Sequence, residues 1–205
     1  MLYPKSLSDL IDAFCILPSV GTKSAQRMVL YLLEFNRDGA KNLANKIQQV
    51  LENIKHCKIC RNYCEDELCK ICDNPSRDVD KLCVVETPAD VMAIEECTQY
   101  KGKYFVLMGR LSPIDGIGPQ QLGMDDLQKI LNNNNDLSEL IIATNATIEG
   151  EATSLYIQNM CHSNNNNKFK ITQLAQGMPI GGELEYINAN TINQAFVDRV
   201  VIDKE

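Results

Sequence analysis

A chain of 205 residues with 44% apolar side chains can bury the core of one large domain, or of a medium domain with small attachments. No run approaches the ~20 apolar residues of a membrane helix, and Met1-Leu2-Tyr3-Pro4-Lys5-Ser6 lacks the flanks of a signal peptide, so a cytoplasmic chain with reduced cysteines is expected. The net charge of −7 argues against a nucleic-acid partner only on average, because residues 1–61 hold nine Lys/Arg against five Asp/Glu (+4) and the remainder eleven against twenty-two (−11).

Three helical patterns open the chain. Leu7, Leu10, Ile11, Phe14 and Leu17 recur at helical spacing, as do Ala25, Met28, Val29, Leu32 and Leu33. A third set, Leu43, Ala44, Ile47, Val50, Leu51 and Ile54, follows Asp38 as the expected N-cap. Only Pro18-Ser19-Val20-Gly21 separates the first two, so a tight hairpin is expected with Gly21 at positive φ. Residues 57–72 read as a short loop and residues 73–78 as a polar linker.

Beyond the linker, continuous apolar runs alternate with helical patterns. Leu82-Cys83-Val84-Val85, Tyr104-Phe105-Val106-Leu107-Met108, Leu140-Ile141-Ile142-Ala143 and Phe169-Lys170-Ile171-Thr172-Gln173-Leu174 read as strands. Helices are expected over residues 90–97, 124–131 and 152–161. This alternation implies a mixed α/β fold with a parallel sheet covered on both faces. Two asparagine runs, 132–135 and 164–167, read as exposed connectors, and Gly116, Gly118, Gly181 and Gly182 as turns.

Cys57-x-x-Cys60 and Cys69-x-x-Cys72 are two knuckles eight residues apart. A CxxC turn places two sulfurs on one side of a tetrahedron, and two such turns complete the shell of a Zn²⁺ ion. With four protein ligands no position stays open for water, so the expected role is structural, with binding free energy ordering the loop. Cys64 and His56 lie close by and compete on paper, but the paired spacing favours the CxxC thiols. Cys15, Cys83, Cys97 and Cys161 fall in apolar patterns and are expected in the core.

In Leu17-Pro18-Ser19-Val20-Gly21-Thr22-Lys23-Ser24-Ala25-Gln26-Arg27 a turn opens directly into a helix. Free N–H groups and the positive dipole end make that first turn a seat for phosphate. Gly21 is a candidate contact at that seat, and Lys23 and Arg27, four apart, add charge on one face. Such contacts hold the sugar-phosphate chain without reading bases. The segment resembles a helix-hairpin-helix motif, with Ser19 at its first glycine position. Taken alone it also suits an ordinary αα corner.

Glu86 ends the strand of Val84-Val85, at the sheet edge where functional groups of α/β proteins gather. A second edge continues as Thr144-Asn145-Ala146-Thr147-Ile148-Glu149-Gly150-Glu151. The pattern is similar to a Toprim domain, in which a strand-end glutamate and an Asp-x-Asp pair hold a divalent ion. Here the pair is Asn145 and Thr147, which removes two negative charges from the seat and leaves Mg²⁺ as a weak cofactor expectation. Solvated loop acids would look the same.

In this order the features resemble the RecR family of recombination mediators. The resemblance rests on Lys23-Ser24-Ala25-Gln26-Arg27-Met28, the paired cysteines, Tyr104-Phe105-Val106-Leu107-Met108-Gly109, Leu111-Ser112-Pro113-Ile114-Asp115-Gly116-Ile117-Gly118-Pro119, Glu149-Gly150-Glu151-Ala152-Thr153 and Pro179-Ile180-Gly181-Gly182-Glu183-Leu184. Ser19 and Thr22 stand where the family has Gly and Pro, and Ala146 where it has Pro. The resemblance implies four parts: a helix-hairpin-helix over 1–55, a zinc module over 56–76, a Toprim domain over 79–175 and an oligomerisation segment over 176–205. It further implies a non-enzymatic DNA clamp, commonly a tetrameric ring, that acts with RecO and RecF to load RecA onto single-stranded gaps in DNA repair. In that picture Gly21, Lys23 and Arg27 meet DNA, and Glu86, Asp90, Glu149 and Glu151 form an acidic edge that engages RecO. The competing readings are a metal-dependent Toprim nuclease or primase using Glu86, Glu149 and Glu151, and a zinc-stapled scaffold with no DNA role.

Overall fold

A computed structural model describes residues 3–163, 169–175, 177, 178, 181 and 183–198. The chain divides into two compact units, residues 1–54 and 55–205. The first is helical: α1 (Lys5–Phe14), α2 (Thr22–Phe35) and α3 (Arg37–Asn53). Ile11, Ala25 and Val29 are its buried centre, and Leu7, Phe14, Cys15, Val20 and Leu33 pack around them. These are the apolar positions at helical spacing, so the hairpin closes on the stripe the sequence lays out. The third helix differs, because none of its residues is buried.

Two local expectations fail here. Asn36, not Asp38, caps α3, because its side chain accepts from the Gly39 N–H at 3.0 Å while Asp38 lies in the first turn. Gly21 is extended (φ −85°), and the left-handed residue of the hairpin is Ser19 (φ 65°).

The second unit opens with a two-stranded antiparallel ribbon, β1 (Lys55–His56) and β2 (Tyr63–Cys64). A four-stranded parallel sheet follows: β3 (Asp78–Val85), β4 (Gly102–Val106), β5 (Glu139–Ala143) and β6 (Lys170–Gln173), in spatial order β4-β3-β5-β6. The crossover helices are α4 (Pro88–Cys97), α5 (Met124–Asn133) and α6 (Ile148–Ser163). Side chains alternate between two faces, as a pleated strand requires. Leu82, Val84, Phe105, Leu140 and Ile142 pack against Leu127 and Ile157 of α5 and α6. Cys83, Val85, Tyr104 and Val106 pack against Val91 and Ile94 of α4. Each fully buried aliphatic side chain contributes roughly 1.5–3 kcal/mol, so the sheet is the stable platform of this unit.

The strand order carries the functional consequence. The chain leaves β3 for β4 on one side, then returns to place β5 on the other side of β3. The crevice between the carboxyl ends of β3 and β5 is therefore the topological switch point, the usual ligand position of open parallel sheets.

Other differences from the sequence are small. α6 begins at Ile148, because its polar first turn shows no apolar period. Cys83 and Cys161 are buried and Cys15 partly so, but Cys97 is exposed at the end of α4. The first asparagine run ends α5, where Asn134 donates to the Val79 carbonyl at 3.0 Å, while residues 164–167 lie outside the described residues. A 3₁₀ turn (Leu184–Tyr186) and α7 (Ala189–Val197, capped by Asn188) form the described part of the terminal segment. No described helix is long and apolar enough to cross a membrane.

An ion pair fastens the linker to the sheet. The Arg77 guanidinium meets both oxygens of Glu95, and Arg77 also donates to the Tyr100 carbonyl at 3.2 Å. Tyr104 Oη donates to the same carboxylate at 2.7 Å. The Arg77 hydrogen bonds hold Glu95 below the ordinary carboxylate value. Its contribution to stability is thus present above the unfolded-state pKa and is lost as pH falls through the lower folded value. Arg77→Ala should cost about 2 kcal/mol at pH 7, and the gap to the parent should narrow below about pH 4. Urea unfolding at both pH values checks this; an equal gap at both would contradict the pairing.

Candidate metal centre and nucleic-acid interface

The two CxxC knuckles converge. The sulfurs of Cys57, Cys60, Cys69 and Cys72 all lie within 4.8 Å of one another, with Cys60 and Cys69 at 3.4 Å. A tetrahedral Zn–S shell of about 2.3 Å radius has S···S edges of about 3.8 Å, so the four thiols fit one zinc ion. Peptide N–H groups support the sulfurs: Cys69 N–H donates to Cys57 Sγ at 3.3 Å and Cys72 N–H to Cys69 Sγ at 3.4 Å. Hydrogen bonding from Cys60 and then Cys72 draws the Cys69 thiol far below its ordinary value, and the contact with Cys69 pushes Cys60 up. Cys64 stands outside the group, its Sγ donating to the Asp66 carbonyl at 3.0 Å. His56 is also outside it, stacked on Tyr63 with Nδ1 2.9 Å from the Arg61 carbonyl.

This module is joined to the edge strand of the sheet. The Val106 N–H on the outer side of β4 donates to the Cys60 carbonyl at 2.9 Å. Arg61, at φ 65° just past the first knuckle, reaches the carbonyls of Gln121 (3.2 Å) and Leu122 and lies over the Phe105 ring. Lys103 Nζ donates to the carbonyls of Ile71 and Cys72, each at 3.0 Å. Sequence reasoning misses Arg61 and Lys103, because an isolated cation carries no spacing signal.

In the helical unit, the first turn of α2 is uncapped. Gly21 offers no side chain, a Cβ there would meet nothing within 4 Å, and the first helical bond is Ala25 N–H to the Gly21 carbonyl at 2.9 Å. Lys23 and Arg27 are exposed and have no ion-pair or hydrogen-bond partner among the described residues. Free peptide donors and two free cations thus sit together, which is what a phosphate seat requires.

The acidic residues are placed less uniformly. Glu86, directly after β3, is 2% exposed. Its Oε1 accepts from the Asn145 peptide N–H at 2.9 Å and its Oε2 from the Asn145 side-chain amide at 2.7 Å. Asp90 is half-buried and closes a capping box on α4, accepting from Thr87 N–H (2.7 Å) and Thr87 Oγ1 (2.8 Å). Glu149 and Glu151 lie in the first turn of α6, where the helix dipole favours them; Glu151 is exposed and Glu149 partly so. Thr147 caps this helix, its Oγ1 accepting from Gly150 N–H at 3.1 Å. The structure therefore brings Glu86 to Asn145 and ties Asp90 to Thr87, and leaves the Glu149 and Glu151 carboxylates without a partner among the described residues.

Family models match along the chain in the same order: a RecR helix-hairpin-helix over residues 7–51, a RecR four-cysteine zinc finger domain over 54–74, a Toprim domain over 80–175 and a RecR C-terminal segment over 177–200. Recombination protein RecR of Hydrogenovibrio crunogenus is 50% identical over 196 residues, covering 96% of this chain and 98% of the relative. The chain belongs to the RecR family of recombination proteins. RecR of Xanthomonas oryzae pv. oryzae (50% over 193 residues; 94% and 96% covered) and of Xylella fastidiosa (49% over 196 residues; 96% and 97% covered) are similar to it over the same span.

Ser19 occupies the left-handed conformation that glycine adopts without a Cβ penalty, so a glycine there relieves strain. Ser19→Gly should raise stability by about 1 kcal/mol and Ser19→Val should lower it, read by thermal unfolding of the whole chain. A destabilised glycine variant would show that the hairpin does not hold this conformation.

Proposed function

We propose that the chain is a non-enzymatic DNA clamp of recombinational repair, acting in the cytoplasm with RecO and RecF to load RecA onto single-stranded gaps. The observation that carries the reading is the uncapped turn of α2 with Lys23 and Arg27 unpaired beside it. Gly21, Lys23 and Arg27 grip phosphates, and contacts of this type hold the sugar-phosphate chain without reading bases. The four-part division at residues 1–55, 56–76, 79–175 and 176–205 assigns one task to each part.

Zn²⁺ in the four-cysteine cluster is structural: it holds the module against β4, and no ligand position remains for substrate. The acidic edge engages RecO mainly through Glu149 and Glu151, with Glu86 and Asp90 shaping the loops that carry them. Self-association is supported by apolar surface left open in both units, and a ring of four copies is the assembly this reading expects. On α3, Leu43, Ile47, Val50 and Leu51 are exposed. Phe14, Met28, Tyr31, Phe35 and Leu43 line a groove of about 820 Å³. In the terminal segment Leu184 and Tyr186 are exposed as well.

Lys23→Glu combined with Arg27→Glu should abolish binding to gapped DNA while leaving one zinc per chain by elemental analysis. Unchanged affinity by fluorescence anisotropy would sink the clamp reading. Parent binding should also fall steeply with salt, since phosphate contacts release counterions. Metal-dependent cleavage or primer synthesis that disappears in Glu86→Ala would instead establish an enzyme.

A further inference from the structure

The Toprim fold implies a divalent cation at the switch point, but the residues here do not fit one. Both oxygens of Glu86 already accept N–H donors from Asn145. At the first Asp-x-Asp position the carboxylate is replaced by an amide whose nitrogen faces Glu86, and a –NH₂ group has no lone pair to offer a hard cation. At the second position Thr147 spends its hydroxyl capping α6. Gly150 packs closely on the same pair, because a Cβ there would run into the Asn145 carbonyl and lie 2.8 Å from Glu86 Oε1.

We infer that the Asn145 amide stands in place of the metal ion: it pairs the buried Glu86 carboxylate and ties β3 to the β5–α6 loop without any divalent cation. A buried carboxylate needs a partner, and two hydrogen bonds from one residue supply it. An aspartate at this position would set two carboxylates about 2.7 Å apart, which demands either a proton or a cation between them. The pairing also fixes the first turn of α6, so Glu149 and Glu151 are presented to a cationic partner surface unscreened by bound metal. The inference is independent of DNA binding by the hairpin, and its failure would leave that reading intact.

Thermal unfolding of the full zinc-loaded chain, with and without millimolar Mg²⁺ at matched ionic strength, tests it. The parent midpoint should not move with Mg²⁺. Asn145→Asp should unfold about 5 °C or more below the parent without Mg²⁺ and recover saturably as Mg²⁺ is added. Asn145→Ala should be lowered without any Mg²⁺ response, which separates a cation seat from simple loss of packing. The reversed pair, Glu86→Gln with Asn145→Asp, lets the introduced amide donate to the introduced carboxylate while its oxygen still accepts the peptide N–H of position 145. That double variant should regain most of the midpoint without Mg²⁺, even if Asn145→Asp alone does not fold. A saturable Mg²⁺ stabilisation of the parent, an Asn145→Asp variant as stable as the parent, or a reversed pair no better than its worse single variant would each overturn the inference.

Discussion

A carboxylate taken out of water must be paired, and in this chain that constraint falls on Glu86 at the carboxyl end of an inner strand of the parallel sheet. Its position follows from topology: β3 is flanked by β4 and β5, and its carboxyl end opens onto the crevice where the strand order reverses. Asn145 from the neighbouring strand end meets both oxygens. The β5–α6 connection is held by that contact, by the Thr147 cap and by the clearance at Gly150. The place where related folds assemble reactive groups is thus used to fasten loops.

The sheet edge is handled by a second constraint. An edge strand leaves a row of unpaired N–H and C=O groups, which invites pairing with other chains. The four-cysteine module covers part of the β4 edge by accepting the Val106 N–H and by the reach of Arg61 and Lys103. So short a segment has little apolar content of its own, and a metal held among its four thiols would supply order that a core cannot. In the proposed clamp, chemistry is absent at both centres; one metal site and one hydrogen-bonded carboxylate act as fasteners, while the open cations belong to the helical hairpin.

Much of this is legible in the sequence because it depends on periodicity and spacing. The helix stripes centred on Ile11, Ala25 and Val29, the four apolar strands and the paired CxxC knuckles all report burial or tetrahedral geometry directly. What escapes depends on backbone conformation and on contacts between distant residues. Ser19 rather than Gly21 takes the left-handed turn, because the hairpin sets its tightest residue three positions before the helix. Asn36 outcompetes Asp38 as a cap because only its side chain reaches the Gly39 N–H. Cys97 follows the apolar period of α4 yet faces solvent at the helix end, where the covering layer stops. The Glu86–Asn145 pair joins residues far apart in the chain, and an Asp-to-Asn change read alone signals only a lost charge, not the bond that replaces it.

At the switch point the Asn145 amide pairs Glu86, and no cation is needed there. The most direct measurement is an NMR titration of the zinc-loaded chain with Mg²⁺, following the Asn145 peptide N–H and side-chain NH₂ signals. Signals protected from solvent exchange and unmoved by Mg²⁺ are the predicted result. Saturable shifts at Asn145, with loss of that protection as Mg²⁺ enters, would contradict the account.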